Sequence, residues 1–380
     1  PETAFWTDAW MTYADEAGNG KPVDAFLQRE LRDIADAFGN SPSFFSLGIG
    51  NELGGSNFET MSAWIAALKK YDPRRLYFCS TARKLAAADD FSVTHYIPDV
   101  GMCREKLCPS NSWDYAAVYA RAKVPVVAHE IGQWPVYPRW EDLDRYSGLL
   151  RPYDQEALRD LAASNGTLRL NRRWHVASLK TNRLMYKDEV EAFLRTPSCN
   201  GLQLLDVRDY TGQGEALVGW LDANFEAKPG LSELAPFSSV FRPVPFLARF
   251  PKYTWTVGER FVARLQVRNL TQETLPAGLR WPWSFAGKRG YLTLASDLPP
   301  YEIADVGAVG ERLEPWMCTA KQTLRFGENS WDIWVFPEEK PAAVPPLVKE
   351  TDSPEELFAA LADGERVLYT GRSSVTGKGQ

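Results

Sequence analysis

Apolar positions along the first part of the chain recur with two different periods. In "VDAFLQRELRDIADAFGNSP", Leu27, Leu31, Ile34 and Phe38 fall on one helical face, Asp24 is placed to cap the start, and Gly39 and Pro42 stop the run. "SFFSLGIGNE" instead packs Phe44, Phe45, Leu47 and Ile49 into a short apolar stretch, which predicts a buried strand over 44–50. The alternation continues. A helix over "SNFETMSAWIAALKKYDP" is opened by a Ser56-x-x-Glu59 capping box and carries Met61, Ile65 and Leu68 along one side. Strands follow at 76–81 and 91–97, then a helix over 112–123 and a strand over 125–129. A long helical stretch containing "DEVEAFLRTP" leads to a strand over 200–210. Five apolar strands separated by helices pair in parallel with both faces covered. Polar residues stand at strand tips: Asn51-Glu52, His95-Tyr96, His129-Glu130 and Asp206. Chemistry spread over several tips favours a barrel, because a doubly wound sheet focuses it at one crevice.

Beyond about residue 240 the period changes. "YTWTVGERFVARLQVRNLTQETL" alternates apolar and polar residues, and Gly and Pro recur at short intervals, which predicts an antiparallel sandwich closed by a strand over 325–338. "PAAVPPLVKETDSP" is a Pro-rich linker, and "SPEELFAALADGERVLYTG" a helix and a strand of a further α/β unit. The expected fold class is α/β: a partial TIM (β/α)8 barrel at 1–238, an antiparallel β-sandwich domain at 239–340, and a linker with the start of another α/β unit at 341–380. No internal repeat is present.

Composition narrows the partners. The chain has 380 residues and a net charge of −6, which argues against the basic face a nucleic acid requires. No apolar run approaches the ~18 residues of a membrane span. With 44% hydrophobic and 24% charged residues it reads as an ordinary globular chain. The 14 Trp fill cores and also suit ring-lined sugar surfaces. Of the five Cys, Cys103 and Cys108 are close enough in sequence to pair in an oxidising compartment, while Cys79 and Cys199 read as buried small hydrophobes.

The chemistry concentrates on Glu52 and Glu130, far apart in sequence yet each at the tip of a predicted parallel strand. Closure of a barrel would bring both to one mouth. Glycosidic cleavage needs such a pair. A protonated carboxyl, its pKa raised by burial and a neighbouring negative charge, assists the leaving oxygen, and an ionised one attacks the anomeric carbon. A separation of ~5–5.5 Å gives retention through a covalent intermediate, and ~6.5–9.5 Å gives inversion. Gly48 and Gly50 would let a sugar ring come close. His95, His129 and Glu130 form a His/Glu group, but no H-E-x-x-H helix makes metal ligands of them. Gly48-x-Gly50 lacks the third glycine of a dinucleotide fingerprint, which would fall at Leu53.

The text around these residues resembles glycoside hydrolase family 2 and its bacterial relatives: "SPSFFSLGIGNELGG", "VPVVAHEIGQWPVYP", "NGLQLLDVRDYTGQGEALVGWLDA" and "NSWDIWVFPE", over roughly residues 1–340. The resemblance implies that Glu52 is the acid/base on barrel strand four and Glu130 the nucleophile on strand seven. Asn51 would hold the sugar 2-hydroxyl, and Tyr96, on strand six, would touch the nucleophile. His95, His129, Gln133, Trp134 and Asp206 complete the expected substrate-binding set, with no metal and no cofactor. Asp209 and Trp10 are weaker neighbours of that set. In this frame Glu2 falls at the tip of strand three. The N-terminal domain and first three barrel strands usual in the family are not in this chain, so on this resemblance it is expected to be a fragment of a longer enzyme. The implied activity is retaining hydrolysis of terminal β-glycosides. A β-galactoside is the leading substrate, with glucuronide, mannoside, galacturonide and rhamnoside open. The relatives imply a periplasmic or secreted bacterial protein with a carbohydrate substrate, no nucleic acid and no membrane span, and leave room for a homo-oligomer. A second class stays open: a catalytically silent carbohydrate-binding or scaffold fragment.

Overall fold

The computed structural model describes residues 2–3, 17–82, 84–94, 96–97, 101–102, 110–149, 151–197, 199–210, 217–228, 238–318, 320–338 and 347–371. The chain divides into two compact units, Pro1–Val335 and Phe336–Gln380. The expected sandwich residues before 336 thus share a unit with the helix–strand region.

In the first unit, α1 (Pro22–Phe38), β1 (Ser46–Asn51), α2 (Phe58–Tyr71) and β2 (Leu76–Thr81) form a helix-covered parallel pair. Leu27 and Leu31 of α1, Leu47 and Ile49 of β1, Met61, Ile65 and Leu68 of α2, and Tyr77 and Cys79 of β2 share one core. Phe38, expected on the buried face, is 58% exposed, because α1 turns its last residue past the edge of that core. The caps also differ from expectation. The Asp24 carboxylate accepts from the backbone N–H groups of Gly18 and Gly20, both at 2.7 Å, and so ties down the incoming loop instead of the helix end. Asn57, not Ser56, caps α2 by accepting from Thr60 N at 3.1 Å.

Next come β3 (Ser92–Thr94), a two-residue antiparallel pair of β4 (Tyr96–Ile97) and β5 (Gly101–Met102), the short α3 (Ala116–Tyr119), and β6 (Val126–Ile131). α4 (Tyr153–Ser164), α5 (Asn171–Leu194) and β7 (Cys199–Leu204) follow. β3, β6 and β7 are parallel, in that order. Backbone bonds from Ala82 N to Val93 O (2.7 Å) and Asp90 N to Tyr77 O (2.9 Å) set β2 beside β3. On the other side of β1, Glu2 bridges Gly48 in parallel and Thr3 N donates to Ile49 O. The lateral order is therefore 2–3, β1, β2, β3, β6, β7. A parallel strand stands in each expected segment, but 91–97 is parallel only over Ser92–Thr94, and the strand expected over 200–210 ends at Leu204. Among the described residues the strands do not close into a ring. One face of this array packs on helices; on the other, Phe78, Phe91 and Val93 meet Val127. Gly48, expected to admit a sugar ring, is filled from inside. A Cβ there would stand 2.4 Å from the Phe78 ring of the neighbouring strand.

From residue 246 the chain is antiparallel. β8 (Phe246–Arg249), β10 (Arg260–Arg268) and β13 (Ile303–Arg312) form one sheet in the order β13-β10-β8. β9 (Thr254–Thr256), β11 (Arg280–Phe285), β12 (Lys288–Thr293), β14 (Ala320–Phe326) and β15 (Asn329–Phe336) form the other, in the order β12-β11-β14-β15-β9. The expected closing strand is β15, inside the 325–338 segment; the first residues of that segment end β14, and Gly327, at a φ of +54°, turns β14 into β15. Both sheets contribute to one core, with Phe261, Ala263 and Leu265 on one side and Leu324, Phe326, Trp331 and Ile333 on the other. β10 alternates buried and exposed residues up to Leu265. There its register with β13 shifts, and Leu265–Arg268 are buried throughout.

The reason is α5. Arg268 donates to Leu194 O and Thr196 O (both 2.9 Å) and to Cys199 O (2.7 Å) at the end of that helix. Glu191 of α5 accepts from Asn329 Nδ2 and Trp331 Nε1, both at 2.8 Å. Lys187 and Arg195 neutralise that carboxylate at 2.5 and 3.4 Å. These buried hydrogen bonds and ion pairs bind the antiparallel region to the helix.

In the second unit, β16 (Val348–Thr351), α6 (Pro354–Ala362) and β17 (Arg366–Tyr369) form a parallel β-α-β unit, with Ser353 capping the helix through Glu356 N. β16 lies inside the stretch expected to be linker.

Candidate active site

Three strands of the array share the same backbone break at or near their C-terminal ends. Glu52 after β1, Ala82 after β2 and Glu130 within the last turn of β6 have φ of +53°, +52° and +52°. The left-handed region costs a residue with a Cβ about 1–2 kcal/mol. Two glutamates and an alanine hold it where a glycine would be cheaper. Such outliers persist only when their surroundings over-determine them, and they cluster at functional sites. Here the break in strand geometry takes each glutamate out of the pleat that buries its neighbours. Glu52 is held by its own N–H, which donates to Thr81 O at 3.1 Å, and by Leu53 N, which donates to Ser80 Oγ at 2.9 Å. Its side chain is 9% exposed.

The strand tips are joined through His129. Its Nδ1 lies 2.7 Å from Gln203 Oε1 on β7. Its Nε2 lies 3.3 Å from Asn51 Oδ1 on β1 and 3.4 Å from Glu130 Oε1. β2 and β3 lie between β1 and β6, and adjacent strands are about 4.8 Å apart, so a flat array would hold these tips about 14 Å apart. Direct contact between Asn51 and His129 therefore requires the array to curl. The Thr81 hydroxyl hydrogen-bonds to Asn51 Oδ1 and fixes the amide. Gln133 Nε2 donates to Glu130 Oε2 (3.3 Å) and to Glu130 O (3.2 Å).

Burial by itself would depress the His129 imidazole, but the hydrogen bond and charge of Glu130, with help from Gln203 and Glu2, raise it above its ordinary value. Burial raises the Glu2 carboxyl; His129 opposes that rise and Glu130 adds to it. Glu2 is thus a third carboxyl that senses this cluster.

Of the expected residues, Asn51, His129, Glu130 and Gln133 are brought into one bonded group, and Glu52 stands next to Asn51. Trp134 is anchored outward, with its Nε1 donating to Glu189 Oε2 of α5 at 2.9 Å, so only its ring faces remain for a ligand. Asp206 accepts from the adjacent Val207 N at 2.5 Å, a local turn bond that does not tie it to the cluster. Asp209 is in a buried ion pair with Lys228 at 2.7 Å. His95 and Trp10 lie outside the described residues, as do Cys103 and Cys108, and the Tyr96 side chain is likewise outside. Thr81, Gln203 and Glu2 belong to the group and were not singled out from the sequence as site residues. The signal for Thr81 and Gln203 was their place at the ends of β2 and β7.

Among the described residues no set of three or more His, Cys, Asp or Glu is arranged to hold a metal, and no helix is long and apolar enough to cross a membrane. A cavity of about 30 Å³ bounded by Tyr137, Asp142, His175, Asp209, Asp222 and Lys228 contains neither glutamate. It is water-sized, since one water needs about 10–15 Å³, so the side-chain chemistry and not this hollow marks the site.

No protein-family model matches the chain, and no curated protein matches it. Solved structures similar to it include an exo-chitosanase of Amycolatopsis orientalis, 14% identical, covering 83% of this chain and 39% of that one with a TM-score of 0.44. A β-glucuronidase of Bacteroides uniformis is 11% identical, covering 89% of this chain and 39% of that one with a TM-score of 0.32. A β-glucuronidase of Parabacteroides merdae is 10% identical, covering 86% and 42% with a TM-score of 0.36. The chain spans about two fifths of the length of these structures.

Proposed function

We propose that this chain carries the acid/base and the nucleophile of a retaining exo-β-glycosidase. In this reading 1–238 supplies strands four to eight of a TIM (β/α)8 barrel, 239–340 a β-sandwich domain and 341–380 a further α/β unit. One observation carries the proposal: two glutamates, each at positive φ on the tip of a parallel strand, are connected through the Asn51–His129 contact. Glu130 attacks the anomeric carbon, and the glycosidic C–O bond breaks as Glu52 gives its proton to the leaving oxygen. Water then attacks the glycosyl ester, Glu52 takes a proton from that water, and the sugar leaves with its configuration retained. The sugar is a terminal β-linked unit; β-galactoside remains the leading candidate, with glucuronide, mannoside, galacturonide and rhamnoside behind it.

The test uses the full open reading frame that contains this chain and a panel of nitrophenyl β-glycosides. One sugar is hydrolysed, and Glu130→Ala abolishes the release. Glu52→Gln loses about 10²–10⁴-fold on an alkyl β-glycoside, which needs an acid, and far less on a dinitrophenyl glycoside, which does not. Release from no sugar, or full activity of Glu130→Ala, overturns the proposal in favour of a binding or scaffold role.

A further inference from the structure

His129 stands immediately before Glu130, yet both of its ring nitrogens are turned to the protein. Nδ1 faces Gln203 Oε1 at 2.7 Å. Nε2 faces two oxygens at once, Asn51 Oδ1 at 3.3 Å and Glu130 Oε1 at 3.4 Å. An ionised carboxylate only accepts, so Nε2 carries a hydrogen. Asn51 Oδ1 also takes the Thr81 hydroxyl, so with that oxygen toward the ring two donors converge on it. Gln203 Oε1, 2.7 Å from Nδ1, is placed to accept from a hydrogen on that nitrogen. The titratable groups whose charge acts on the ring include Glu130 and Glu2. Only 12% of the imidazole side chain is exposed, so these charges act on it with little screening.

We propose that His129 is a positioning residue: a doubly protonated imidazole that clamps Asn51 of β1 to Glu130 of β6 across two intervening strands. The catalytic consequence rests on the glycosidase reading; the charge state and the clamp do not. Three effects follow. His129 has no N–H left over for a sugar, so it acts through its neighbours and not as a substrate ligand. The Asn51 oxygen is occupied by two donors, which leaves its NH2 as the end offered to a sugar hydroxyl, as a donor. A fixed positive charge beside Glu130 favours its ionised form, as a nucleophile needs.

This chain carries three histidines, and the loss of one resonance in His129→Gln identifies its signal. The first measurement is NMR titration of imidazole-labelled full-length protein, with His129→Gln used to assign the signal. At neutral pH both ring nitrogens of His129 are protonated, and Glu130→Gln lowers its pKa by about one unit or more, as expected when an opposite charge within ~4–6 Å is removed. Glu2→Gln lowers it less. A singly protonated His129 at pH 6.5, or a titration indifferent to Glu130→Gln, overturns the proposal whatever the activity of the protein. The second measurement is kinetic. His129→Gln moves the acid limb of the kcat/KM profile upward by about one pH unit, with kcat reduced more than KM is changed. An unmoved acid limb in a folded, active variant also overturns it. If no β-glycoside is turned over at all, the glycosidase reading fails, and the NMR result alone decides the clamp.

Discussion

Replacing Gly132 by alanine tests how tightly the loop after Glu130 is specified. Gly132 has a φ of +85°, and a Cβ built there would stand 1.8 Å from Tyr186 Cε1, 2.4 Å from Cζ and 2.5 Å from Cδ1. Ordinary carbon–carbon contact begins near 3.5 Å, so something must move by well over an ångström. Tyr186 has little freedom to do so: it is fully buried, and its hydroxyl reaches Leu205 O at 3.3 Å and Val218 O at 3.2 Å. The Gly132 N–H is itself held by Glu189 Oε2 at 2.9 Å. The left-handed backbone costs about 1–2 kcal/mol and overpacking typically about 1–3 kcal/mol, so Gly132→Ala should destabilise by about 2–5 kcal/mol. At about 2–4 °C per kcal/mol for a unit of this size, the melting temperature falls by several degrees. The relief valve is Tyr186. In a Tyr186→Ala background the ring clash is gone, and Gly132→Ala should cost only the backbone share. A double-mutant cycle by thermal melts or urea unfolding measures that difference. Equal costs in the two backgrounds, or a melting temperature unchanged in the single variant, would refute the close-approach argument. Because Gly132 lies two residues beyond Glu130, the same variant should lower kcat in any sugar assay that detects the parent.

Two further expectations concern the buried face of α5. Asp188 is pushed up to about 6, chiefly by burial and partly by Glu191, against the opposing Arg195 and the Tyr253 hydroxyl at 2.9 Å. Because the folded value lies above the unfolded 3.8, the native state keeps a proton the unfolded chain has lost, and stability falls as pH rises from about 4 to 6, then levels. The shift amounts to at most about 3 kcal/mol, less where water screens the partly open side chain. Asp188→Asn should flatten the melting temperature across that window and raise it at pH 7; an unchanged slope refutes the assignment. Glu191→Ala removes the acceptor shared by Asn329 and Trp331 and leaves Lys187 and Arg195 unneutralised. Loss of one partner of a buried ion pair costs about 3–5 kcal/mol, so denaturant unfolding should shift by that order, and a loss below 1 kcal/mol would show the network to be incidental.

Much of the architecture was written locally. The short apolar runs at 46–51, 76–81 and 126–131 read as strands: the first two are buried almost end to end and the third at Val126, Ala128 and Ile131, while 199–204 buries only Cys199. The 3.6-residue spacing of Leu27, Leu31, Met61 and Ile65 put helices over the array. Where local signals compete, the sequence misled. Ser56 and Asn57 can both cap α2, and the helix chose the second. Phe38 kept the helical period but passed beyond the core it was meant to join. Gly48 offered space without saying who takes it, and the taker is Phe78 on the next strand.

The two glutamates could be singled out in the sequence because an acidic residue ending an apolar strand conflicts with burial, and a conflict of that kind asks for a reason. Asn51, His129 and Gln133 were legible as neighbours of those glutamates, but the atoms they bond were not, and Gln203 was not singled out at all. Asn51, His129 and Gln203 sit on three different strands, and what brings their polar atoms within hydrogen-bonding reach is the curl of the sheet. The positive φ of Glu52 and Glu130 is equally invisible in the sequence, since no glycine or asparagine stands at either position to announce it. Sequence alone determined which segments are strands and which carboxylates end them, because those follow from nearest-neighbour patterning of apolar residues. Tertiary structure alone decided what each carboxylate faces, because contacts between residues dozens of positions apart depend on how strands curve past one another, and no local period encodes that curvature.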